Sequence, residues 1–331
     1  MLYKSQKSYL NQLQAPSRIN PVSNAGSIRL ESKKNYKASP FSEISNRVKK
    51  YLDPFLESFD YAHHLTQDPV LFVHRYESPR DQEIVGLLAS SLAYGRVEKI
   101  LDFLESLFKI LGPSPYEFIL NFDPVRDRRI FHALIYRFHR GRHIACFLYL
   151  LKQVLSKYKS LEEVFLEDYS PANVDLQDSL SKFVEKILTQ DSSPFYPSGR
   201  LPKDSPVRFF LPSPKDGSTC KRLNLFLRWM VRGPDQVDLG LWKNVRCTHL
   251  MIPLDTHIAR ISRYLGLSDF KNISWKMAQQ VTENLKLLDP EDPIKYDFAI
   301  CHLGISGDCP SRPDPMRCQP CQLRPVCSCW S

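Results

Sequence analysis

Four closely spaced cysteines constrain the fold of this chain more than any other feature of its sequence. They follow the pattern C-x8-C-x2-C-x5-C and are Cys309, Cys318, Cys321 and Cys327. Thiolates at such spacings can complete a four-coordinate metal shell, either a [4Fe–4S] cluster or a structural zinc. The spacing therefore predicts a metal-bound loop over residues 309–327 and leaves the identity of the metal open.

The remaining cysteines do not extend this pattern. Zinc sites with four cysteines commonly use two C-x2-C pairs, whereas this loop has one pair flanked by two single cysteines. Cys329 is an alternative to Cys327 as the last ligand. The cysteines that occur singly are expected to be small buried hydrophobic residues; they are Cys146, Cys220, Cys247 and Cys301.

Length and composition predict one large folded unit or two lobes. The chain has 331 residues, of which 43% are hydrophobic and 24% charged, and these proportions suit a globular protein with a sizeable core. No apolar run approaches the ~20 residues that span a bilayer, and no secretory signal is seen. We therefore expect a cytoplasmic protein without a membrane partner, in which thiols bind metal rather than form disulfides.

The first 45 residues differ from the rest. They are rich in Ser, Asn, Lys and Arg, and their only acidic residues are Glu31 and Glu43. We expect residues 1–45 to be a disordered basic leader with some affinity for polyanions. The alternative is a transit peptide, because such peptides are also basic and poor in acidic residues.

The positive charge is concentrated in two tracts. The formal net charge is +9, and residues 128–161 contain eight Lys and Arg residues but no Asp or Glu. A second basic tract covers residues 208–232, where Asp216 is the only acid. Such density is typical of proteins that contact a phosphate backbone. The alternative is a solvated helix face paired with acids elsewhere.

The hydrophobic pattern is helical almost throughout and predicts an all-α protein. In residues 83–108 the apolar positions recur near the 3.6-residue period, with Gly95 marking a break between two helices. Similar periods cover residues 144–158, 174–188 and 275–288, and no βαβ alternation is present. The loop-rich segment 192–214 has the length of connections that often carry function.

Two residues are candidates for chemistry. Asp255 precedes an apolar helical stripe, so it is predicted either to cap that helix or to present a fixed carboxylate to a cleft. Lys221 follows a turn that contains Gly217 and opens onto a helix, where backbone N–H groups favour an anion. This lysine is either solvated, a phosphate contact, or an amine nucleophile if it is desolvated.

Several of these segments resemble the helix–hairpin–helix superfamily of DNA glycosylases, and the C-terminal half is most similar to endonuclease III. The segment IPLDTHIARI, which contains Asp255, resembles the family's catalytic-aspartate segment. KRLNLFLRWM resembles the helix after the family's hairpin, where Lys221 stands at the position of the catalytic lysine. YDFAICHLGISGDC is similar to the helix before the iron–sulfur loop and places Cys301 in the core, and DQEIVGLLASSLAYGRVEKIL is similar to the helix pair at the DNA cleft.

The resemblance implies a two-lobed glycosylase-like bundle over residues 46–331. A six-helix lobe would cover residues 80–254, with a modified hairpin near 211–222. The second lobe would combine residues 46–79 with 255–331, including the cluster loop. In this family that loop holds a [4Fe–4S] cluster with a structural role, so the resemblance favours iron–sulfur over zinc.

The resemblance also implies sites of DNA contact. The hairpin here is longer and poorer in glycine than the family's, and its phosphate contacts would be Gly217, Thr219 and Arg222. The cluster loop would contribute Arg312, Arg317 and Arg324. Ser91 stands where endonuclease III has a glutamine that fills the gap left by the flipped base, and Tyr94 lies near enough to substitute.

Together, the resemblance and the basic tracts predict a monomeric, nucleoid-associated enzyme of DNA base-excision repair. It would be an N-glycosylase on damaged or mismatched duplex DNA, with RNA as a further partner to test. Asp255 would stabilise an oxocarbenium-like sugar and activate the nucleophile, and Lys221 would add AP-lyase activity. The alternative is a non-catalytic nucleic-acid-binding protein that retains the scaffold and the cluster.

Overall fold

The structure, a computed structural model, describes residues 40–330, and these are mostly helical, as the all-α prediction requires. The α-helices, in chain order, are α1 (Ser45–Glu57), α2 (Tyr61–Leu65), α3 (Pro79–Ser91), α4 (Val97–Leu111), α5 (Pro115–Asn121), α6 (Gly141–Lys157), α7 (Leu161–Leu166), α8 (Gln177–Leu188), α9 (Lys221–Val231), α10 (Thr256–Tyr264), α11 (Trp275–Lys286), α12 (Asp297–Ile305) and α13 (Pro315–Cys318). Strands β1 (Ile135–Tyr136) and β2 (His139–Arg140) pair antiparallel. Short 3-10 helices form at Pro40–Glu43, Pro69–Arg75, Arg128–Phe131, Pro206–Phe210, Pro214–Asp216, Cys247–His249 and Arg324–Val326.

Most of the predicted leader, residues 1–39, lies outside the described residues. Residues 40–45, the last six of the predicted leader, are folded. The folded part of the chain therefore begins before the boundary predicted at residue 45. Pro40–Glu43 forms a 3-10 turn that leads into α1, and the Phe41 side chain is buried. Burial of this aromatic ring stabilises the entry to α1.

Helix α3 lies largely in the interior of the protein. Its side chains on nearly every side are buried, and it packs against α9 and against the 3-10 helix Pro69–Arg75. The predicted break after α3 is confirmed, because Gly95 adopts a φ of +106° that L-residues rarely adopt. The 3-10 helix Pro69–Arg75 also packs on α4.

Helices α10 and α12 approach each other closely, and a glycine makes this possible. A Cβ on Gly304 would lie 2.6 Å from Cβ of His257, well inside any real contact distance. Only glycine fits there without moving one helix away from the other. This approach places the start of α10 beside one face of α12.

The cysteine-containing segment packs against α1 and α10. Arg260 donates a hydrogen bond of 2.6 Å to the carbonyl of Cys309, and the backbone N–H of Ser328 donates one of 2.8 Å to the carbonyl of Tyr264. Arg47 of α1 donates to the carbonyl of Pro325. None of the helices within residues 40–330 combines the length and apolar character that a membrane span requires.

Candidate functional site

A cleft of about 850 Å³ runs between the start of α4, α9, α10 and α12. It brings Asp255 and Lys221, the two residues singled out from the sequence, onto the same cavity wall. Tyr94, from the loop after α3, lines it as well. Other contributors were not predicted as site residues and include Asp68, Arg228, Asp297, Cys301 and His302.

Asp255 is fixed at the N-terminus of α10. Its Oδ1 accepts a hydrogen bond of 2.8 Å from the backbone N–H of Ile258, so the predicted helix cap is confirmed. The predicted stripe of Ile258, Ile261 and Leu265 is buried and holds α10 against the core. The cap and the cleft position coexist, because the carboxylate uses one oxygen for the cap and still borders the cavity.

Cys301 is the nearest neighbour that the structure adds to Asp255. Its thiol donates a hydrogen bond to Oδ2 of Asp255, with 3.7 Å between the atoms. Burial, followed by the charge of Asp255, raises the pKa of Cys301 well above its usual value, so the thiol stays protonated. The expectation that Cys301 is a core residue is therefore corrected, because it lies on the cleft wall.

Lys221 begins α9 at the end of a tight turn. Prolines at 206, 212 and 214 lack backbone N–H groups, and the segment before Lys221 forms short 3-10 turns rather than an α-helix. Gly217 and Cys220 both adopt left-handed backbone conformations, with φ of +74° and +50°. The left-handed conformation is uncommon for a non-glycine residue and fixes the direction in which α9 starts.

A buried ion network lies beneath the cleft. Arg228 of α9 donates to both oxygens of Asp238, at 3.0 and 3.1 Å, and to Asp297 of α12. Burial raises the pKa of Asp297 to about 6 even though Arg228 favours the carboxylate. Breaking such a desolvated network from one side costs several kcal/mol by the usual estimates, about 3–5, so α9 and α12 are held in fixed register.

A second polar pair lines the same cleft. Nε2 of His302 lies 3.1 Å from Oδ2 of Asp68, whose Oδ1 caps the following 3-10 helix through Val70 N–H at 2.9 Å. Burial opposes ionisation of Asp68, but the hydrogen bonds from His302 and Val70 keep its pKa below the usual value. The His302 ring is therefore oriented by a carboxylate at the edge of the cleft.

Two predicted DNA contacts are buried instead. Ser91 is 1% exposed, so it cannot enter a DNA helix as the predicted wedge. Arg222 is also buried, because it donates to the carbonyl of Ser91 at 2.6 Å and to the carbonyl of Phe209. These carbonyls lie at the ends of α3 and of a 3-10 helix, where intrahelical donors are lacking. Arg222 thus joins the end of α3 to the 3-10 helix Pro206–Phe210.

The other predicted contacts lie at the surface. Gly217 is exposed, with open space where a side chain would begin, and Thr219 is half-buried with its carbonyl accepting from Asn224 at 3.0 Å. In the cysteine segment the exposed arginines are Arg312, Arg317 and Arg324. Arg317 donates to the Gly307 carbonyl, and Arg324 lies 5.0 Å from the centre of the Trp330 ring.

The four predicted metal ligands are half-buried on one segment. Burial raises the pKa of Cys309 to about 11, and the charges of Cys327 and Cys321 contribute in the same direction. Cys318, Cys321 and Cys329 likewise affect Cys327, so the thiols are neighbours. Within residues 40–330, however, no three His, Cys, Asp or Glu side chains converge closely enough to hold a metal ion. Four thiols have the chemistry that a four-thiolate metal group requires, but in the described residues their sulfur atoms do not converge on one point.

Sequence reasoning missed the cleft residues on α12. Cys301 follows Asp297 by four residues, so these two side chains lie along one side of the helix, and His302 is the next residue. The helical period predicts that Asp297 and Cys301 share a face, but it does not indicate that the face borders a cavity. The sequence did contain one signal, Gly304, which lies two residues after His302. A glycine at this position permits another helix to pack closely against α12.

A comparison with known families matches the part of the chain that forms the cleft. A family model described as "Protein of unknown function (DUF2400)" matches residues 68–306. This range includes every cleft residue named above from Asp68 to His302 and ends before the four cysteines. No curated protein and no solved structure matches the chain.

Proposed function

Because the chain belongs to the DUF2400 family, whose description assigns no function, we propose its activity from the cleft: an N-glycosylase that excises a damaged or mismatched base from DNA. One observation carries the proposal. The fixed carboxylate of Asp255 and the amine of Lys221 line a single cavity of about 850 Å³, a volume typical of sites for small organic groups.

Asp255 supports the bond-breaking step. As the C1′–N bond breaks, its electron pair leaves with the base and positive charge develops on the sugar. A carboxylate beside C1′ stabilises this oxocarbenium-like state, as carboxylates do in glycoside hydrolysis. Water then adds to C1′ and gives its proton to Asp255, while the base is protonated. The Ile258 N–H holds the carboxylate in place for this role.

Lys221 adds a second activity to the proposal. If its neutral amine attacks C1′ in place of water, a Schiff base forms with the opened sugar, and β-elimination then cleaves the strand. The charge of Lys221 favours the ionised form of Asp297, so the amine lies close to this carboxyl group on the cleft. The enzyme would then be an AP lyase as well as a glycosylase.

The cysteine segment is proposed to hold a [4Fe–4S] cluster through Cys309, Cys318, Cys321 and Cys327, with zinc as the alternative metal. The group would supply a structural cross-link and no step of the reaction. The fit rests on four half-buried thiols that influence one another. The exposed arginines of the segment would then meet DNA phosphates, which is consistent with a nucleoid location.

The decisive experiment is cleavage of a panel of duplexes, each with one damaged or mismatched base, by metal-loaded protein. We expect base release from at least one duplex and its loss in Asp255→Asn with DNA binding retained. If no duplex in a broad panel loses a base, the enzymatic proposal fails. Release at the native rate by Asp255→Asn would remove Asp255 from the mechanism.

The second candidate function is nucleic-acid binding without catalysis. The burial of Ser91 favours it, because the position expected to fill the gap left by a flipped base is not accessible to DNA. Salt-dependent duplex binding, without base release and unchanged in Asp255→Asn, would support this function. Absence of binding at low salt would exclude it, and parallel measurements with single-stranded RNA would identify the preferred nucleic acid.

A further inference from the structure

The hairpin formed by β1 and β2 presents an aromatic residue to solvent beside the cleft. Tyr136 pairs with His139 across the hairpin, and both are buried, whereas the turn residues Arg137 and Phe138 are exposed. Phe138 is 46% exposed. Arg137 has a φ of +53°, an uncommon conformation for a residue with a side chain. The buried strand residues thus anchor the hairpin, and its two turn residues, which form the tip, are exposed to solvent.

The tip belongs to an aromatic cluster that reaches the cleft wall. The ring centres of Phe138 and Phe209 are 4.9 Å apart, edge to face, and Phe209 is 40% exposed. Both rings contact Tyr94, with centre-to-centre distances of 6.1 and 5.0 Å. Because Tyr94 lines the cavity that holds Asp255, the exposed rings continue the cleft surface outward.

Buried polar contacts hold this cluster in position. Burial lowers the pKa of His139 to about 4, so its ring is neutral at physiological pH. Its two nitrogens lie 2.6 Å from the Tyr94 hydroxyl and 3.0 Å from the Pro206 carbonyl. A carbonyl only accepts, so Nε2–H donates to Pro206 and Nδ1 accepts from Tyr94. The Arg222 guanidinium packs over the rings of Tyr94 and Phe209.

The surroundings of the tip are strongly cationic. The tract of residues 128–161, which lacks Asp and Glu, places exposed arginines on and near the hairpin: Arg128, Arg129, Arg137, Arg140 and Arg142. Within the described residues, none of these five forms a salt bridge. Their charge is therefore available to an anionic partner.

We propose that Phe138 and Phe209 form a stacking surface for an unstacked base of a nucleic-acid strand, with the hairpin arginines contacting its phosphates. Aromatic rings among arginines suit a polyanion with flat apolar groups, and base stacking on such rings is sequence-tolerant. The inference rests on the nucleic-acid partner of the proposed function. This role differs from the one expected at Ser91, which was to fill the gap that a flipped base leaves.

The test measures the fluorescence of 2-aminopurine as the full chain is added at low salt. The 2-aminopurine is one base of a mismatched pair in a DNA duplex. Stacking on the protein changes the environment of this base, so native protein should alter its emission. Phe138→Ala should lose the change and bind about 10-fold more weakly, within the range for one stacked base. Phe138→Trp should restore both. Ile135→Ala, an exposed apolar change on the same hairpin, should behave as the native chain.

Several results would overturn the inference. These are an unchanged signal and affinity in Phe138→Ala, a loss in Ile135→Ala as large as in Phe138→Ala, or Phe138-dependent binding to anionic lipid vesicles as tight as that to DNA. Circular-dichroism melting of each variant separates lost contacts from lost folding. Because the assay requires no base release, a stacking signal without cleavage in the duplex panel would reject the glycosylase and retain this surface.

Discussion

The thiol of Cys301 and the carboxylate of Asp255 are joined by a hydrogen bond between α12 and the start of α10, with 3.7 Å between sulfur and oxygen. The other oxygen of Asp255 accepts from Ile258 N–H at 2.8 Å. Each carboxylate oxygen therefore has one protein donor and retains a lone pair for another partner. This arrangement fixes the side chain without using its full capacity to accept.

Substitutions of Asp255 should separate its two roles. Asn is as good a helix cap as Asp, so the free energy of unfolding of Asp255→Asn should lie within about 1 kcal/mol of that of the native chain, because the variant keeps the cap and loses the charge–dipole contribution and the oxygen that accepts from Cys301. Asp255→Ala should lose about 1 kcal/mol. Both should reduce base release at least 100-fold. Urea unfolding and single-turnover cleavage measure the two effects.

The matched control is Ser160→Ala. Ser160 caps α7 through Glu163 N–H at 3.1 Å and lies outside the residues that line the cleft. It should lose a similar stability and keep full activity. Equal loss of activity in Ser160→Ala and Asp255→Ala would attribute the effect to stability rather than to chemistry.

Borohydride trapping should reveal whether Lys221 acts as a nucleophile. If the amine forms a Schiff base, reduction links native protein covalently to cleaved DNA, and Lys221→Gln should give no adduct. Lys215→Gln is the control, because Lys215 lies in the preceding turn and is exposed, 3.8 Å from Glu185. Base release without an adduct from the native chain would show that water is the nucleophile.

Gly304→Ala should destabilise the protein by about 1–3 kcal/mol, because the added Cβ meets His257 and forces α10 and α12 apart. It should also reduce activity by displacing Asp255. In Gly86→Ala the added Cβ meets the flexible end of Met230, at 2.8 Å, and alanine favours the helix by about 1 kcal/mol. That variant should be nearly neutral. Urea unfolding compares them, and equal losses would contradict the argument.

Stability should depend on the ionisation of Glu83. This side chain of α3 accepts from the backbone N–H groups of Leu161 and Glu162 and from the indole of Trp242. Burial nevertheless raises its pKa from 4.5 to about 7. The folded state then binds the proton more tightly than the unfolded state. The free energy of unfolding should fall between pH 4.5 and 7, by on the order of 3 kcal/mol.

Glu83→Gln should remove this dependence, because glutamine does not titrate. Its amide N–H₂ faces N–H donors, so the variant should be less stable than the native chain at pH 5. Glu105→Gln is the control, since Glu105 is exposed and pairs with Arg75 at 2.7 Å. Thermal melts over this pH range test the prediction, and equal slopes for the native chain and Glu83→Gln would refute it.

The cysteine segment should bind iron and sulfide through four thiols. Cys309→Ser and Cys321→Ser should lower the iron and sulfide content of anaerobically purified protein at least several-fold. Cys146→Ser should not, because Cys146 is buried in α6 away from the segment. Cys329→Ser should also retain the metal. If native protein contained zinc and no iron, the cluster would be rejected and the alternative zinc site supported.

The sequence predicted those features that depend on local pattern. The helix starts at Lys221 and Thr256, the cap at Asp255 and the break at Gly95 all follow from capping and backbone preferences of neighbouring residues. The burial of Arg222 does not. This residue belongs to a basic tract, and its interior position depends on two carbonyls, of Ser91 and Phe209, that are remote in sequence.

The position of Phe138 was missed for a related reason. Its hairpin has two residues in each strand, too short for an alternating pattern to be visible. The surface to which Phe138 belongs also requires Phe209 and Tyr94, which reach it from different segments. Local patterns indicate which residues face inward or outward, whereas the neighbours across a cleft are decided by the packing of distant helices.

Helix α1 contacts the cysteine segment through the hydrogen bond from Arg47 to the carbonyl of Pro325. These two residues are 278 positions apart in sequence. A contact of this separation closes a long loop, and its entropic cost must be met before the contact stabilises anything. We expect α1 to remain without its partner during synthesis until the cysteine segment has left the ribosome. Metal delivery to these cysteines would then be coupled to the pairing of α1 with this segment.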